Sequence, residues 1–478
     1  MNTPESSCFS RRAALAQCFN GFGSLALGSL LAGSTGSLAQ ADTKKPHLKR
    51  KAKRCIFLFM QGGVSQMDSF EYKPDLNKLH GKPLPSIPTI RGELQGRLAF
   101  EHACVGSAFK FAKQGESGRY VSELFPKISE QIDDLAFIHG IKTDNQNHGP
   151  STLHVTTGSQ FPGSPSVGAW VNYGLGSENQ NMPGYVVIQD PRGAPVNGAA
   201  VWSNGYLPAS HQGTLLRNSG SPILNLDRPD GISEAAQKRE LAALRKLNEL
   251  HSASRHETDD LEARIQSYEL AFRMQTAAPD LMNIEQEPEH IHRLYGLDRS
   301  ETAGFGRQCL IARRLAEADV RYTMLIHGVQ IGNNSWDDHG NVEGGMRKHS
   351  REVDLPVAGL LEDLRQRGML EETLVVWASE MGRTPFVNGK LGKTPGREHN
   401  SHALTMWMAG GDVKPGATAG ETDAFSLRSI GESISIRDVH ATILNLLGLD
   451  DDLLRFQYAG RMRQLTDIGG LVLEEIIA

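Results

Sequence analysis

Apolar and polar positions along this chain alternate in blocks. Short apolar runs without charge end abruptly in polar, glycine-bearing loops. Cys55–Met60, Leu135–His139, Tyr185–Ile188, Leu374–Ala378 and Ala403–Ala409 are such runs, and Arg321–Ile326 is another with a charge only at its first residue. Each is short, and most are rich in β-branched, aromatic or Leu and Met residues, which predicts strands buried on both faces. Between them the period lengthens. Val121–Ile132, restarting near Pro126, reads as helical, as do Ser151–Gly158, a stretch opening at Ser166, Phe305–Ala318 and Val353–Arg367. A last helix runs from Arg437 to Leu447, with Asp438 as its expected cap and Gly448 as its stop. Residues 75–84 and 91–98 read as loop and edge structure, where Pro83, Pro85 and Pro88 limit pairing. From 233 to 295 the text becomes charged and helical, with Leu241, Leu244, Leu247 and Leu250 at near-helical spacing, which predicts a helical insertion. Alternating strands and helices predict an α/β fold with a mostly parallel central sheet between helices.

The polar loops after the strands carry the chemistry, because ligand sites of open α/β sheets lie at strand carboxyl ends. After Leu374–Ala378 come Glu380 and Arg383; before Ala403–Ala409 come Arg397, His399 and His402. Glu380, His399 and His402 are expected metal ligands, and Arg383 or Arg397 can hold an oxyanion. Residues 333–341 hold Asp337 and His339, whose spacing in a loop suits a cation. In 142–150, Thr143 is a candidate nucleophile, Asn145 and Asn147 candidate oxyanion donors, and His148 a ligand or substrate contact. The same loop also reads as an Asx-rich turn. Residues 61–68 offer Ser65 and Asp68, which either serve the site or cap the next turn. Imidazole with carboxylate suits zinc, manganese or iron better than calcium. His290 and His292 do not share a helix face and are expected to be solvated.

With 478 residues and a net charge of −5, the chain can bury a large core and lacks a general nucleic-acid footprint. Ser10-Arg11-Arg12, a short glycine-broken apolar run and Ala39-Gln40-Ala41 predict a twin-arginine export signal over residues 1–41. A basic linker over 42–54 and one domain over 55–478 follow, with no integral membrane span after signal removal. The expected location is the periplasm or cell surface. Cys55, Cys104 and Cys309 have no metal-binding spacing and read as buried small hydrophobes.

Eight segments together resemble a known family. They are SRR, IFLFMQGGVSQMDSF, KTDNQNHGPSTLHVTTG, SVGAWVNYGLGSENQNMPGY, SWDDHGN, LVVWASEMGRTP, GREHNSH and DVHATILNLLGLD. In this order they are similar to the bacterial domain-of-unknown-function family 1501, of sulfatase-like or alkaline-phosphatase-like type. The resemblance implies an alkaline-phosphatase-like fold and divalent metals, zinc first, around a hydroxyl nucleophile. By position, Glu380, His402, Asp337 and His339 look like metal ligands, and Thr143 is similar to the nucleophile of the superfamily's phosphodiesterases. Gln61 stands where an Asp ligand is usual, Met381 where a His is usual, and His399 is the expected substitute. No CxPxR sequence occurs, so a formylglycine sulfatase is not expected. The implied activity is exported, metal-dependent hydrolysis of phosphate or sulfate esters, on a small anionic ester or a sulfated or phosphorylated glycan. The alternative is a non-catalytic binding or surface-associated protein.

Overall fold

The computed structural model describes residues 45–84, 102–217, 223, 226, 228, 231–252, 259–330, 334–387 and 391–478. The expected signal over 1–41 and the strip 91–98 lie outside the described residues. The strands are β1 (Arg54–Met60), β2 (Phe111–Gln114), β3 (Arg119–Ser122), β4 (Ala136–Ile141), β5 (Tyr185–Ile188), β6 (Thr214–Leu216) and β7 (Tyr322–His327). They continue as β8 (Thr373–Ala378), β9 (Gly382–Arg383), β10 (His399–Asn400), β11 (Leu404–Ala409), β12 (Thr418–Ala419), β13 (Phe456–Tyr458) and β14 (Arg461–Arg463). The helices are α1 (Gln66–Ser69), α2 (Pro74–Lys78), α3 (His148–Thr157), α4 (Val167–Leu175), α5 (Glu234–Ser252) and α6 (Asp259–Met282). After them come α7 (Glu289–Leu294), α8 (Ala303–Glu317), α9 (Val342–Gln366) and α10 (Ile436–Leu446).

Eight strands make the central sheet, in the order β12-β4-β11-β8-β1-β7-β5-β6. β1 is parallel to both β7 and β8, β5 to both β7 and β6, and β4 to β12; β11 alone runs antiparallel, between β4 and β8. The carboxyl ends of β1, β4, β7 and β8 therefore open on one edge, and β11 starts there. Every residue of β1 is buried, and its side chains alternate between two cores. Ile56, Leu58 and Met60 face one core, with α8 and α9; Cys55, Phe57 and Phe59 face the other, with α4 and α10. The sheet is thus sandwiched between helices. The three described cysteines are free and buried. Among the described residues no helix is long and apolar enough to cross a membrane.

Several expected boundaries move, each for a local reason. Of the helical stretch expected over Val121–Ile132 with a restart near Pro126, the first part is not helical, since Val121 belongs to β3, and the second is a 3-10 helix spanning Ile128–Asp134. Asp354 starts that helix from outside, its carboxylate accepting from the N–H groups of Lys127 and Ile128. Asp438 is not the cap of the last helix. Ser435 is, and Asp438 answers it from the third helical position in a capping box. α9 starts at Val342, well before Val353, because Asn341 accepts from Gly344 N and caps it there. His290 is exposed, but His292 is half-buried and bonds the Ile284 carbonyl at 2.9 Å.

One buried carboxylate ties the sheet edge to the segment after α1. Glu71 accepts from the hydroxyls of Thr405, Thr422 and Ser426, with His139 at 3.3 Å and Lys73 at 3.5 Å. Burial acts to raise its pKa, but His139, Lys73 and Thr405 outweigh that and bring it from 4.5 down to about 2. A carboxyl held below its unfolded value adds stability above pH 4.5 that is lost as pH falls toward about 2. The denaturation midpoint should therefore drop through that window, and Glu71→Gln should flatten the drop while lowering stability at neutral pH. An unchanged acid limb in the variant would remove Glu71 from this account.

Candidate metal centre

Four segments reach the common edge: the β1–α1 loop, the start of α3, the β7–α9 loop and the β9–β10 pair. Their close approach has a backbone cause. A Cβ on Gly62, whose φ is +121°, would lie 2.4 Å from Trp336 N and 2.7 Å from Asp337 N. Only glycine lets the first loop lie against the residue that carries the central carboxylate.

Asp337 is that carboxylate. Its Oδ1 is 3.0 Å from His339 Nε2, 3.1 Å from His399 Nε2 and 2.6 Å from Arg383 Nη2. Its Oδ2 is 3.2 Å from His148 Nε2. The Nε2 atoms of His339 and His399 face each other at 2.9 Å. Two of the imidazoles are braced from behind. His148 Nδ1 bonds Glu380 Oε1 at 2.7 Å, and His339 Nδ1 bonds Glu398 Oε1 at 3.1 Å. A carboxylate on Nδ1 fixes the tautomer and turns the Nε2 lone pair toward the centre, as behind histidine ligands of metals. His148 Nε2 is buried and makes no well-aligned hydrogen bond, although Asp337 Oδ2 lies 3.2 Å away. An orphaned imidazole nitrogen, aimed with two others at one carboxylate, fits a divalent metal.

The electrostatics agree. Burial opposes the charged form of Asp337, but the close imidazoles of His148, His339 and His399 and the charge of Arg383 hold its carboxyl far below the usual range. Burial lowers the pKa of His148, yet Asp337 and Glu380 lift it to about 9. Hydrogen bonds to Asp337 and Glu398 raise His339 to about 9. Burial pulls His399 below its ordinary value.

The sequence-expected residues fall into three groups. Asp337, His339 and His399 converge, joined by His148, which sequence reasoning had left open between ligand and substrate contact. Glu380 stands one layer out. It is fully buried, and its oxygens already take Gln61 Nε2 at 2.9 Å, Gly62 N at 2.8 Å and His148 Nδ1. Gln61 is thus a donor to Glu380 rather than a lost metal ligand. His402 meets Ser401 Oγ at 3.1 Å and is not among the converging donors.

Both arginines are committed to the fold. Arg383 donates to the carbonyls of Gly62, Gly63 and Arg397 as well as to Asp337. Arg397 pairs with Asp68 at 2.7 and 3.2 Å and donates to the Val105 carbonyl. Ser65 bonds the same Asp68 at 2.6 Å. Thr143 is buried and its Oγ1 donates to the Asn145 carbonyl, while Asn145 Nδ2 bonds Gln160. Asn147 is exposed at the N-cap of α3 and makes no side-chain cap bond.

His327, His349 and Glu352 form a second convergent group. Trp336 Nε1 donates to His327 Nδ1 at 3.1 Å, and an indole can only donate. Neutral His327 must then carry its proton on Nε2, which gives it to Glu352 at 2.7 Å. Neither nitrogen of His327 is then left for a cation, and Arg192 completes the ion pairing of Glu352 at 3.0 Å. This group braces Trp336, the neighbour of Asp337.

Two predictions follow from the donor set. Metal binding must displace the protons of His148 and His339, so affinity should rise from neutral pH toward about 9. Calorimetry at pH 7 in buffers of different ionisation heat should show release of roughly two protons per metal; none released would exclude these imidazoles as ligands. Separately, His148→Ala and Asp337→Ala should lose bound metal, and Glu380→Gln should weaken binding about 10–100-fold. His402→Ala should retain it. Metal-to-protein ratios of the purified variants decide this, and loss in His402→Ala would restore that residue as a ligand.

No curated protein matches this sequence. Among solved structures, a protein in the alkaline phosphatase superfamily from Vibrio parahaemolyticus is similar at a TM-score of 0.37 and 11% identity, over 95% of this chain and 78% of that one. Alkaline phosphatase from the Antarctic bacterium TAB5 gives 0.36 and 10%, over 84% and 100%. Phosphonate monoester hydrolase SpPMH from Silicibacter pomeroyi gives 0.37 and 9%, over 88% and 76%. The sequence model of the family described as "Protein of unknown function (DUF1501)" matches residues 52–477, and the chain belongs to that family.

Proposed function

We propose that the chain is an exported, metal-dependent hydrolase of phosphate or sulfate esters, acting on a small anionic ester or on a sulfated or phosphorylated glycan. One observation carries this reading: His148, His339 and His399 converge on Asp337, with carboxylates behind two of the imidazoles. Zinc, manganese or iron suits that donor set. When bound, such an ion polarises an ester oxygen and acidifies a hydroxyl or water.

The chain's own residues have separable tasks. Arg383 holds Asp337 in place and Glu380 holds His148. Because His148 is the first residue of α3, the N-terminus of that helix lies at the cluster, and its first N–H groups suit the ester's anion. Asn145 and Asn147 flank that position. Thr143 is the proposed hydroxyl nucleophile, for which its Oγ1 must turn away from the Asn145 carbonyl. A non-catalytic binding role is the second reading. It is favoured by the engagement of Thr143, Arg383 and Arg397 in bonds within the fold.

The test is a panel of p-nitrophenyl phosphate, bis(p-nitrophenyl) phosphate and p-nitrophenyl sulfate, with and without chelator. Activity on one of them should vanish on chelation and in Asp337→Ala. Thr143→Ala should abolish turnover without changing metal content. If Thr143→Ala stays active, water or another hydroxyl attacks. If the metal-loaded parent is inert on the whole panel, the binding reading stands. Export is tested by Arg11→Lys with Arg12→Lys, which should leave precursor in the cytoplasm; normal export would point to the general secretory route.

A further inference from the structure

A cleft of about 370 Å³ opens away from the histidine cluster, at the β12 edge of the sheet. That volume is in the range of small-ligand pockets, about 300–1,000 Å³. Its walls are the segment Phe70–Lys73, His139 of β4, Arg119 and Tyr120 of β3, Thr418, Gly420, Glu421 and Thr422.

The floor is Glu71, whose carboxylate is already answered by the hydroxyls of Thr405, Thr422 and Ser426. Thr405 gives its single proton to Glu71, so toward His139 it can only accept. His139 Nδ1, 3.1 Å away, therefore carries a proton. In neutral His139, Nε2 is then an acceptor, and among the described residues it forms no hydrogen bond. A buried carboxylate and a threonine thus fix which face of the imidazole the cleft receives.

The remaining polar side chains include two cations, Lys73 and Arg119, and the exposed carboxylate of Glu421. Lys73 Nζ bonds the Thr422 carbonyl at 3.1 Å and has further protons to give. The Arg119 guanidinium lies 4.5 Å above the Phe137 ring, and its Nη2 bonds Thr418 Oγ1 at 2.6 Å. At the rim, Tyr72 and Tyr120 are 38% and 39% exposed, large values for aromatic side chains. Their rings pack on each other at 4.7 Å, with Phe111 stacked on Tyr72 at 5.0 Å, so the rim is rigid. Lys73 and Arg119 line the cleft beside a carboxylate whose charge is met inside the fold, and Arg119 Nη2 also donates to the Gly416 and Ala417 carbonyls. His139 Nε2 and the Glu421 carboxylate are acceptors for ring hydroxyls, beside an aromatic wall.

We propose that this cleft is a second ligand site, for a sugar acid of the hexuronate class. The ligand's carboxylate meets Lys73 and Arg119, a ring hydroxyl donates to His139 Nε2, and C–H groups lie against Tyr72 and Tyr120. Neutral sugars lack the anion, and simple carboxylates lack the hydroxyl and the apolar edge. The site needs neither a metal nor hydrolysis, so its failure and that of the proposed activity are distinguishable.

The experiment is calorimetric or NMR titration of the purified protein, metal-loaded and chelator-treated, with D-glucuronate, D-glucose and acetate. Glucuronate should bind saturably in both metal states, at least about tenfold tighter than glucose or acetate, since an unanswered charged donor costs on that order. Two variants, Lys73→Met and Tyr72→Ser with Tyr120→Ser, should each weaken it several-fold, while Lys73→Arg, which keeps a cation beside Glu71, should largely retain it. A hexuronate trisaccharide binding more tightly than the monomer identifies a polymer as the natural source; equal affinity identifies the free acid. Glucuronate no tighter than acetate, or binding untouched by both variants, overturns the proposal.

Discussion

A carboxylate with no exposed surface must be met by donors on every open side, or its desolvation penalty would destabilise the fold. Glu380 is in that position, and the common edge is organised by how it is met. Gln61 and Gly62 come from the end of β1, His148 from the start of α3, and Glu380 itself lies just past β8. Three separate segments are thus pinned to one side chain. The hydrogen bond to His148 also sets that ring's tautomer, so structural support and ligand orientation are the same interaction. Hydrogen bonding from His148 and Gly62 outweighs burial and keeps Glu380 ionised, with its pKa below the ordinary value.

Asp337 is organised on the same logic from the opposite side. Arg383 meets it with one guanidinium nitrogen and uses the others on loop carbonyls, so the cation serves as a clamp. Behind Trp336 the ion-paired His327–Glu352–Arg192 group holds the indole that precedes Asp337. The cluster is therefore surrounded by polar groups whose charges are already balanced, which leaves His148 Nε2, with no well-aligned hydrogen bond, as its unsatisfied feature.

Much of this was legible in the sequence. Uncharged apolar runs such as 55–60 and 374–378 marked the central strands, because a strand covered on both faces tolerates no charge. The polar clusters after them marked the edge, and Asp337, His339 and His399 could be named from residue type and place. What sequence could not supply was saturation. Glu380 reads as a ligand until its oxygens are seen to be taken, and Arg397 reads as an anion receptor until Asp68 is found opposite it. His148 was ambiguous for the same reason, since its role depends on Glu380, more than two hundred residues away. The absence of helix before Pro126 has a different cause. Two short elements flanking Pro126 each bury one side, and together they imitate a helical period.

The glycine-rich loop after β1 would by composition be the most pliable backbone at the edge. Its amides say otherwise. Gly62 N donates to Glu380, and Gly63 N and Val64 N both donate to Ser379 Oγ, which itself donates to the Met60 carbonyl. These N–H groups are locked by side chains rooted in the neighbouring strand, so solvent deuterium reaches them only when that strand opens. In amide exchange the loop belongs to the slow core, and it opens with the sheet as one cooperative unit.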